Sequence, residues 1–441
     1  MSRYPILMLV VAVISVACEP TLSGVTPPIT LVPPTPTTAV FTQTPLPAAT
    51  QTANPTQTSK PTRTPKPTET PDPFPNPILK LTGVEEVVFD WTTARCEKMN
   101  IPDLPARAFR DASGQVQLIL SDNYNYRMVG PDLNSLTPDC QAVMRSDNNA
   151  DPALFSDNEW IAAPYTQDGQ TIYALVHNEY WGHTHPGQCP QNDYFPCWDN
   201  SITLAISTDA GKSYSHAAQP PSHLVARLPY PYKAGAGPEG TRNPSNIIQG
   251  KDGFYYSFLN VSEYGTQKQW VCLMRTDNLA DPVSWRFWDG KGFDGQFVDP
   301  YLNPPANPTN HICSALEWDN IGASLNDSIT FNTYLNRYVL VGLSADTLGK
   351  REKWGIYYAF SDDLIHWTHR KLLREMPLPW TVKQNTDVSY LYPALLDPNS
   401  PSRNFETTGK TAYLYYTRHN FGQGSLDRDL LRIAVEFFPS P

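Results

Sequence analysis

Five times between residues 114 and 416, a glycine- or asparagine-containing turn leads into a short run of apolar and aromatic residues. The runs are 114–120 (GQVQLIL), 169–176 (GQTIYALV), 253–259 (GFYYSFL), 336–342 (NRYVLVG) and 409–416 (GKTAYLYY), with starts about 55 to 85 residues apart. Runs of this length and composition after a turn read as buried strands. Before most of them sits a strand entry with Pro or Ser: Pro105-Ala106-Arg107, Ala163-Pro164-Tyr165, Asn243-Pro244-Ser245, Ser328-Ile329-Thr330 and Tyr392-Pro393-Ala394. After several comes a third strand ending in Ser or Thr, Asp and an aromatic, as in 207–214 (STDAGKSY), 275–285 (RTDNLADPVSW) and 361–367 (SDDLIHW). Amphipathic helix patterns are almost absent. A multi-strand unit repeated five times around a circle predicts an all-β, five-bladed β-propeller, which hides its sheet edges by radial repetition. A two-sheet sandwich would explain the strands but not the length and the repeat.

The propeller occupies residues 78–441, enough chain for a large core. What precedes it reads differently. Arg3 and the apolar stretch 6–16, too short to span a bilayer, read as an export signal over residues 1–18. Its end, Ser15-Val16-Ala17-Cys18, resembles a bacterial lipobox, which implies lipidation of Cys18 and a membrane anchor at the cell surface; an ordinary secretory signal is the alternative. Residues 19–77 are rich in Pro and Thr and carry too little apolar surface to offset their ordering entropy, so a semi-rigid, disordered stalk is expected there. Six further cysteines, Cys96, Cys140, Cys189, Cys197, Cys272 and Cys313, suit disulfides in an exported chain. Fifteen connectivities are open; order and spacing favour Cys96–Cys140, Cys189–Cys197 and Cys272–Cys313. The spacing does not fit zinc ligation. A net charge of −10 without a basic run outside the stalk argues against nucleic acid.

The strand entries and the unit ending S-x-D-L-x-x-W resemble the five-bladed glycosidases of the arabinanase, xylosidase and invertase group. Residues 207–214 resemble the Asp-box of sialidases, S-x-D-x-G-x-[ST]-[WY], which implies a structural turn for Ser207 and Asp209. The glycosidase resemblance implies carbohydrate as partner, a monomer, no cofactor, and the option of calcium at the propeller axis. It also implies an Asp before Pro in blades 1 and 2 and a Glu before Pro in blade 3. The matching positions here are nearer Arg107, Ala163 and Asn243, with Asp103, Glu159 and Glu239 close but out of register. The resemblance therefore carries the fold and not the standard mechanism.

Chemistry is densest at 171–185 (TIYALVHNEYWGHTH), which holds three of the nine histidines. On a strand, His177 and Glu179 share one face, while Asn178 and Tyr180 share the other. Glu179 as acid and Asp103 as base form the best carboxylate pair available, with His177 holding or tuning Glu179 or abstracting a proton itself. Arg107, similar to the arginine of the sialidase strand entry, and Arg242 are candidates to clamp a carboxylate of an acidic sugar. Asn243, Tyr180, Trp181 and Tyr392 complete the expected sugar contacts. His183 and His185 form a weak metal pair, better read as loop histidines, and no metal ligand is assigned. A glycoside hydrolase, a non-catalytic carbohydrate-binding propeller, and a polysaccharide lyase using His177, Tyr180 and Arg107 all remain open.

Overall fold

The computed structural model describes residues 77–190, 192–262, 269–348, 351–383, 386–421 and 425–439. The signal segment, Cys18 and all but the last residue of the Pro/Thr-rich stalk lie outside the described residues. Among the described residues, no helix is long and apolar enough to cross a membrane.

The strands group into five antiparallel blades. Blade 1 runs Arg107–Arg110, Val116–Leu120, Tyr124–Gly130 and Thr137–Arg145 from its first strand to its fourth. Blade 2 has Asn158–Thr166, Ile172–Trp181 and Trp198–Ser207, edged by the short strands Ser215–His216 and Leu224–Ala226. Blade 3 has Glu239–Arg242 continued by Ile248–Gln249, then Tyr255–Val261, Trp270–Thr276 and Arg286–Phe287. Blade 4 has Ser328–Asn332, Arg337–Leu348, Arg351–Ser361 and Lys371–Glu375. Blade 5 has Ser389–Leu396, Thr411–His419 and Arg428–Phe438, and its outermost strand is Ile78–Phe89 from the other end of the folded chain. Each turn-plus-aromatic run of the sequence forms the second strand of its blade.

Five apolar clusters, one at each seam, close the circle. Phe109, Ile119 and Val143 of blade 1 pack with Ile161, Ile172 and Val176 of blade 2. Leu175 and Leu204 meet Leu259 and Met274 between blades 2 and 3, and Phe258 and Leu273 meet Leu340 and Tyr357 between blades 3 and 4. Val339 and Phe360 meet Leu414 and Val435 between blades 4 and 5. Leu118 and Met128 meet Leu396 and Tyr415 between blades 5 and 1. Each buried Leu, Val or Phe contributes about 1.5–3 kcal/mol through removal from water, so the seams dominate stability.

Two local devices fix the geometry near the axis. A parallel bridge joins blade 3 to blade 2 at Glu239↔Asp199 and Gly240↔Asn200. A Cβ at Gly240 (φ +105°) would lie 2.0 Å from the Asn200 carbonyl oxygen, so only glycine allows this approach. Arg107 is the second device. Its buried guanidinium donates to the carbonyls of Ala162 (3.0 Å), Asp327 (2.6 Å) and Pro244 (3.4 Å), and so reaches the strand entries of blades 2, 4 and 3 from blade 1. This corrects its expected role: Arg107 is consumed by backbone carbonyls and pins the blades together.

The disulfides pair as order and spacing favour: Cys96–Cys140, Cys189–Cys197 and Cys272–Cys313. Residues 207–214 hold a turn closed by side-chain hydrogen bonds. Asp209 Oδ1 accepts from the amides of Lys212 (3.0 Å) and Ser213 (2.9 Å), and Gly211 N–H donates to Ser207 Oγ at 2.9 Å.

Candidate functional site

A cavity of about 400 Å³ opens among loops of blades 1, 2 and 5. Its carboxylates are Asp103, Asp122 and Glu179, and its walls include Trp160, Trp181, Tyr194, Trp198 and Tyr392. Flat aromatic faces beside carboxylates are what a sugar ring requires: CH faces to stack and hydroxyls to hydrogen-bond.

Glu179 and Trp181 end the second strand of blade 2 on the same face, and the Trp181 indole donates to Glu179 Oε2 at 2.7 Å. The Tyr194 hydroxyl donates to the same oxygen at 3.2 Å. Tyr194 is carried by the loop that the Cys189–Cys197 disulfide closes. Burial pushes the Glu179 carboxyl up to about 8, against the pull of Trp181; nearby Asp103 adds to the rise, while Tyr194 and Arg242 oppose it. Glu179 is therefore held as a neutral acid at neutral pH.

Asp103 approaches blade 1 from the chain before it. Its Oδ1 accepts from the Tyr392 hydroxyl at 3.1 Å and from the Arg428 guanidinium. Burial raises this carboxyl, and Arg428 and Tyr392 pull it back. Asp122 sits at the turn after the second strand of blade 1, with Oδ1 accepting from the Asn123 amide (2.7 Å) and Oδ2 buried without a partner. Burial first, and then the Asp103 charge, push it up to about 7.

His177 lies behind Glu179. Its Nε2 is 3.7 Å from Glu179 Oε1 and 2.8 Å from Asn200 Oδ1, and Asn200 in turn donates to the Glu239 carbonyl at 2.8 Å. Burial lowers His177 to about 4 despite the Asn200 contact, with Arg242 adding to the drop, so the ring is neutral and supports the acid from behind. Arg242 also stands behind the wall: its Nε donates to Asn260 Oδ1 at 3.2 Å and its guanidinium lies 5.6 Å from the Trp198 ring centre.

Of the residues expected from sequence, Glu179, Asp103, Trp181 and Tyr392 line one cavity, with His177 and Arg242 immediately behind it. Arg107, Asn243 and Tyr180 are not among its lining residues. Asn243 lies at the break between two short strands (φ +48°), and its carbonyl accepts from Asn326. Tyr180 points to the opposite face, where its hydroxyl donates to the Ala150 carbonyl at 2.9 Å and its ring stacks on His185. His183 and His185 do not face a common point for a metal: His185 Nε2 lies 2.9 Å from Asp157 Oδ2, and His183 packs edge-on against Tyr194. Asp122, Arg428, Tyr194 and Trp198 went unnoticed in the sequence. They share no motif: Asp122 and Arg428 reach the cavity from blades 1 and 5, while Trp198 pairs with Trp181 on the neighbouring strand and Tyr194 enters on the disulfide-closed loop.

No protein-family model and no curated protein matches the chain. Solved structures of similar course do. A protein of unknown function from Dyadobacter fermentans is 11% identical, with 82% of this chain and 99% of that chain covered and a TM-score of 0.47. A glycosyl hydrolase from Bacteroides ovatus is 10% identical (80% and 93% covered, TM-score 0.41). An exo-1,5-α-L-arabinanase from a bovine ruminal metagenomic library is 11% identical (76% and 93% covered, TM-score 0.40). At such identities the chemistry has to be argued from this chain's own residues.

Proposed function

We propose that the protein is an exported, surface-anchored glycoside hydrolase acting on a glycan held in the cavity between blades 1, 2 and 5. The observation that carries this reading is the convergence of three carboxylates, buried Asp122 and Glu179 and half-buried Asp103, on one aromatic-walled cavity. Glu179, protonated near neutral pH, donates its proton to the glycosidic oxygen as the bond to the anomeric carbon breaks. Asp103, whose ionised form the Arg428 guanidinium favours against burial, either takes a proton from the attacking water or attacks the anomeric carbon itself. Asp122 adds negative charge that stabilises the developing oxocarbenium ion when ionised. The walls favour an uncharged glycan over an acidic one, since Arg428 and Arg242 already face Asp103 and Glu179.

The lipobox-like end at Cys18 and the three disulfides support export and anchoring. Cys18→Ala should release the protein from the membrane fraction. Hydrolysis is tested by reducing-end release from a panel of plant and bacterial glycans. Unchanged turnover in Glu179→Gln would remove Glu179 from the mechanism.

One observation favours a second reading, a glycan-binding propeller without turnover: Asp103 Oδ1 is already engaged by both Arg428 and Tyr392. Retention on a glycan array with no product after days would decide for it. The lyase reading loses its support, because Arg107 is spent on carbonyls and Tyr180 faces away from His177.

A further inference from the structure

Glu159 is the second residue of the first strand of blade 2, next to Trp160, and successive side chains on a strand point to opposite faces. Trp160 faces the cavity; Glu159 faces the other way, into a buried cluster with His216 and His223. There Glu159 Oε1 lies 2.7 Å from His216 Nε2, and the His216 and His223 ring centres are 4.4 Å apart. One donor atom from each of Glu159, His216 and His223 falls within 4.8 Å of the others. Asp147 Oδ2 stands 4.0 Å from His216 Nδ1, on the far side of that ring.

An ion pair between Glu159 and His216 explains only part of this. Glu159 and His223 are both 0% exposed, yet Glu159 Oε2 and both ring nitrogens of His223 make no hydrogen bond. The carbonyls of Phe155 and Pro221 lie near the His223 ring without closing one. Each unpaired buried polar atom costs about 1–3 kcal/mol, and of these three the Glu159 oxygen and the unprotonated His223 nitrogen offer lone pairs that a cation would take up.

We propose that Glu159, His216 and His223 form a structural divalent-metal site of the zinc class, at the seam of blades 1 and 2. Two imidazoles and a carboxylate suit Zn²⁺, with a fourth position for water. Bonds of about 2.0–2.2 Å in a tetrahedron separate donor atoms by roughly 3.3 Å, a distance that side-chain rotations reach from the present positions. Asp147 would orient His216 through its other ring nitrogen, the usual outer partner of a metal-bound histidine. Both ring nitrogens of His223 are buried without a hydrogen-bond partner, so the unprotonated one has its lone pair free for the ion. Ser146 Oγ accepts from the Glu159 amide at 2.8 Å, so a metal there ties the end of blade 1 to the strand that carries Trp160.

The test uses the full chain without a polyhistidine tag, loaded with Zn²⁺ and dialysed against chelator-treated buffer. Elemental analysis should find about one Zn²⁺ per chain, and removal by a strong chelator should lower Tm by several degrees. His223→Gln should weaken Zn²⁺ binding ~100-fold or more, while His183→Gln leaves it unchanged. Wild-type protein that retains less than about 0.1 equivalent, with no Tm response to Zn²⁺, overturns the proposal. So does affinity unchanged in His223→Gln. If His223→Gln does not fold, Co²⁺ added to wild-type protein reads the same point: absence of visible tetrahedral absorption overturns the site.

Discussion

The Trp181 indole and the Tyr194 hydroxyl share one acceptor, Glu179 Oε2, at 2.7 and 3.2 Å. Donors on a carboxylate favour its charged form, yet this carboxyl stays protonated to about 8 because burial outweighs them. Trp181→Phe removes the stronger opposing influence, so the Glu179 pKa should rise further. The alkaline limb of kcat/KM should move up by ~0.5–1 pH unit, whereas Glu179→Gln should abolish that limb and cost ~10²–10⁴-fold in rate. A pH–rate profile of each variant on one active glycan checks both.

Arg428 acts on the opposite limb. It pulls both Asp103 and Asp122 down against burial. In Arg428→Gln the two carboxyls should ionise at higher pH, which moves the acidic limb upward and narrows the active window. An unmoved acidic limb would show that Asp103 is not the group whose ionisation turns the activity on.

Arg107 should matter for stability and not for sugar binding. Arg107→Met leaves the carbonyls of Ala162 and Asp327 unpaired, at a cost of roughly 2–5 kcal/mol and a marked drop in Tm. KM for any glycan should hold in the folded fraction. A large rise in KM at unchanged Tm would return Arg107 to the binding site.

Stability should peak in acidic solution. Glu179 (about 8), Asp122 (about 7) and Asp327 (about 7) are raised by burial above their unfolded values of 4.5 and 3.8. The fold holds their protons, so the stability they supply is complete below those unfolded values and falls as pH rises towards 8. His177 (about 4) and His419 (about 2) are depressed below 6.5, so their contribution is lost as pH falls from 6.5 towards 4 and below. The three carboxyls outweigh the two histidines above pH 4.5, so calorimetry should place the highest Tm at about pH 4 and show it falling from there to pH 8.

The Cys189–Cys197 loop carries Tyr194 and Phe195 into the cavity. Replacing both cysteines by serine frees that loop while leaving the five seams untouched. Glycan affinity should drop several-fold, with Tm lowered by only a few degrees. Binding titration beside a thermal melt separates the two effects.

The blades were readable because each second strand combines a turn residue with a dense apolar run, a pattern local enough to survive in one dimension. Glu179 was readable for the same reason, since strand alternation puts it with His177 and Trp181. The closing strand Ile78–Phe89 was not, because its partner Arg428–Phe438 lies about 350 residues away and half its side chains face water. Nor were Asp122 and Arg428, which reach the cavity on unrelated loops. Arg107 was misjudged because a sequence names a guanidinium but not what it meets, and backbone carbonyls can accept its hydrogen bonds as ligand carboxylates do. The missing Asp-before-Pro positions suggested a site short of carboxylates, whereas three are present on other segments.

The ring is buckled by its two ends, Ile78 beside Phe438, and this sets an order of events during synthesis. A chain made from its N-terminus produces the closing strand first and its partner last. In between, Ile78–Phe89 must wait alone, and its make-up suits waiting: only Leu79 and Phe89 become fully buried, while Lys80 and Glu85 stay in water. Bringing such distant segments together adds only logarithmically to the entropic cost of closure. Blade 5 thus cannot be completed before its strand Arg428–Phe438 has been made, and a chain stopped short of residue 428 would leave an open ring with two bare flanks.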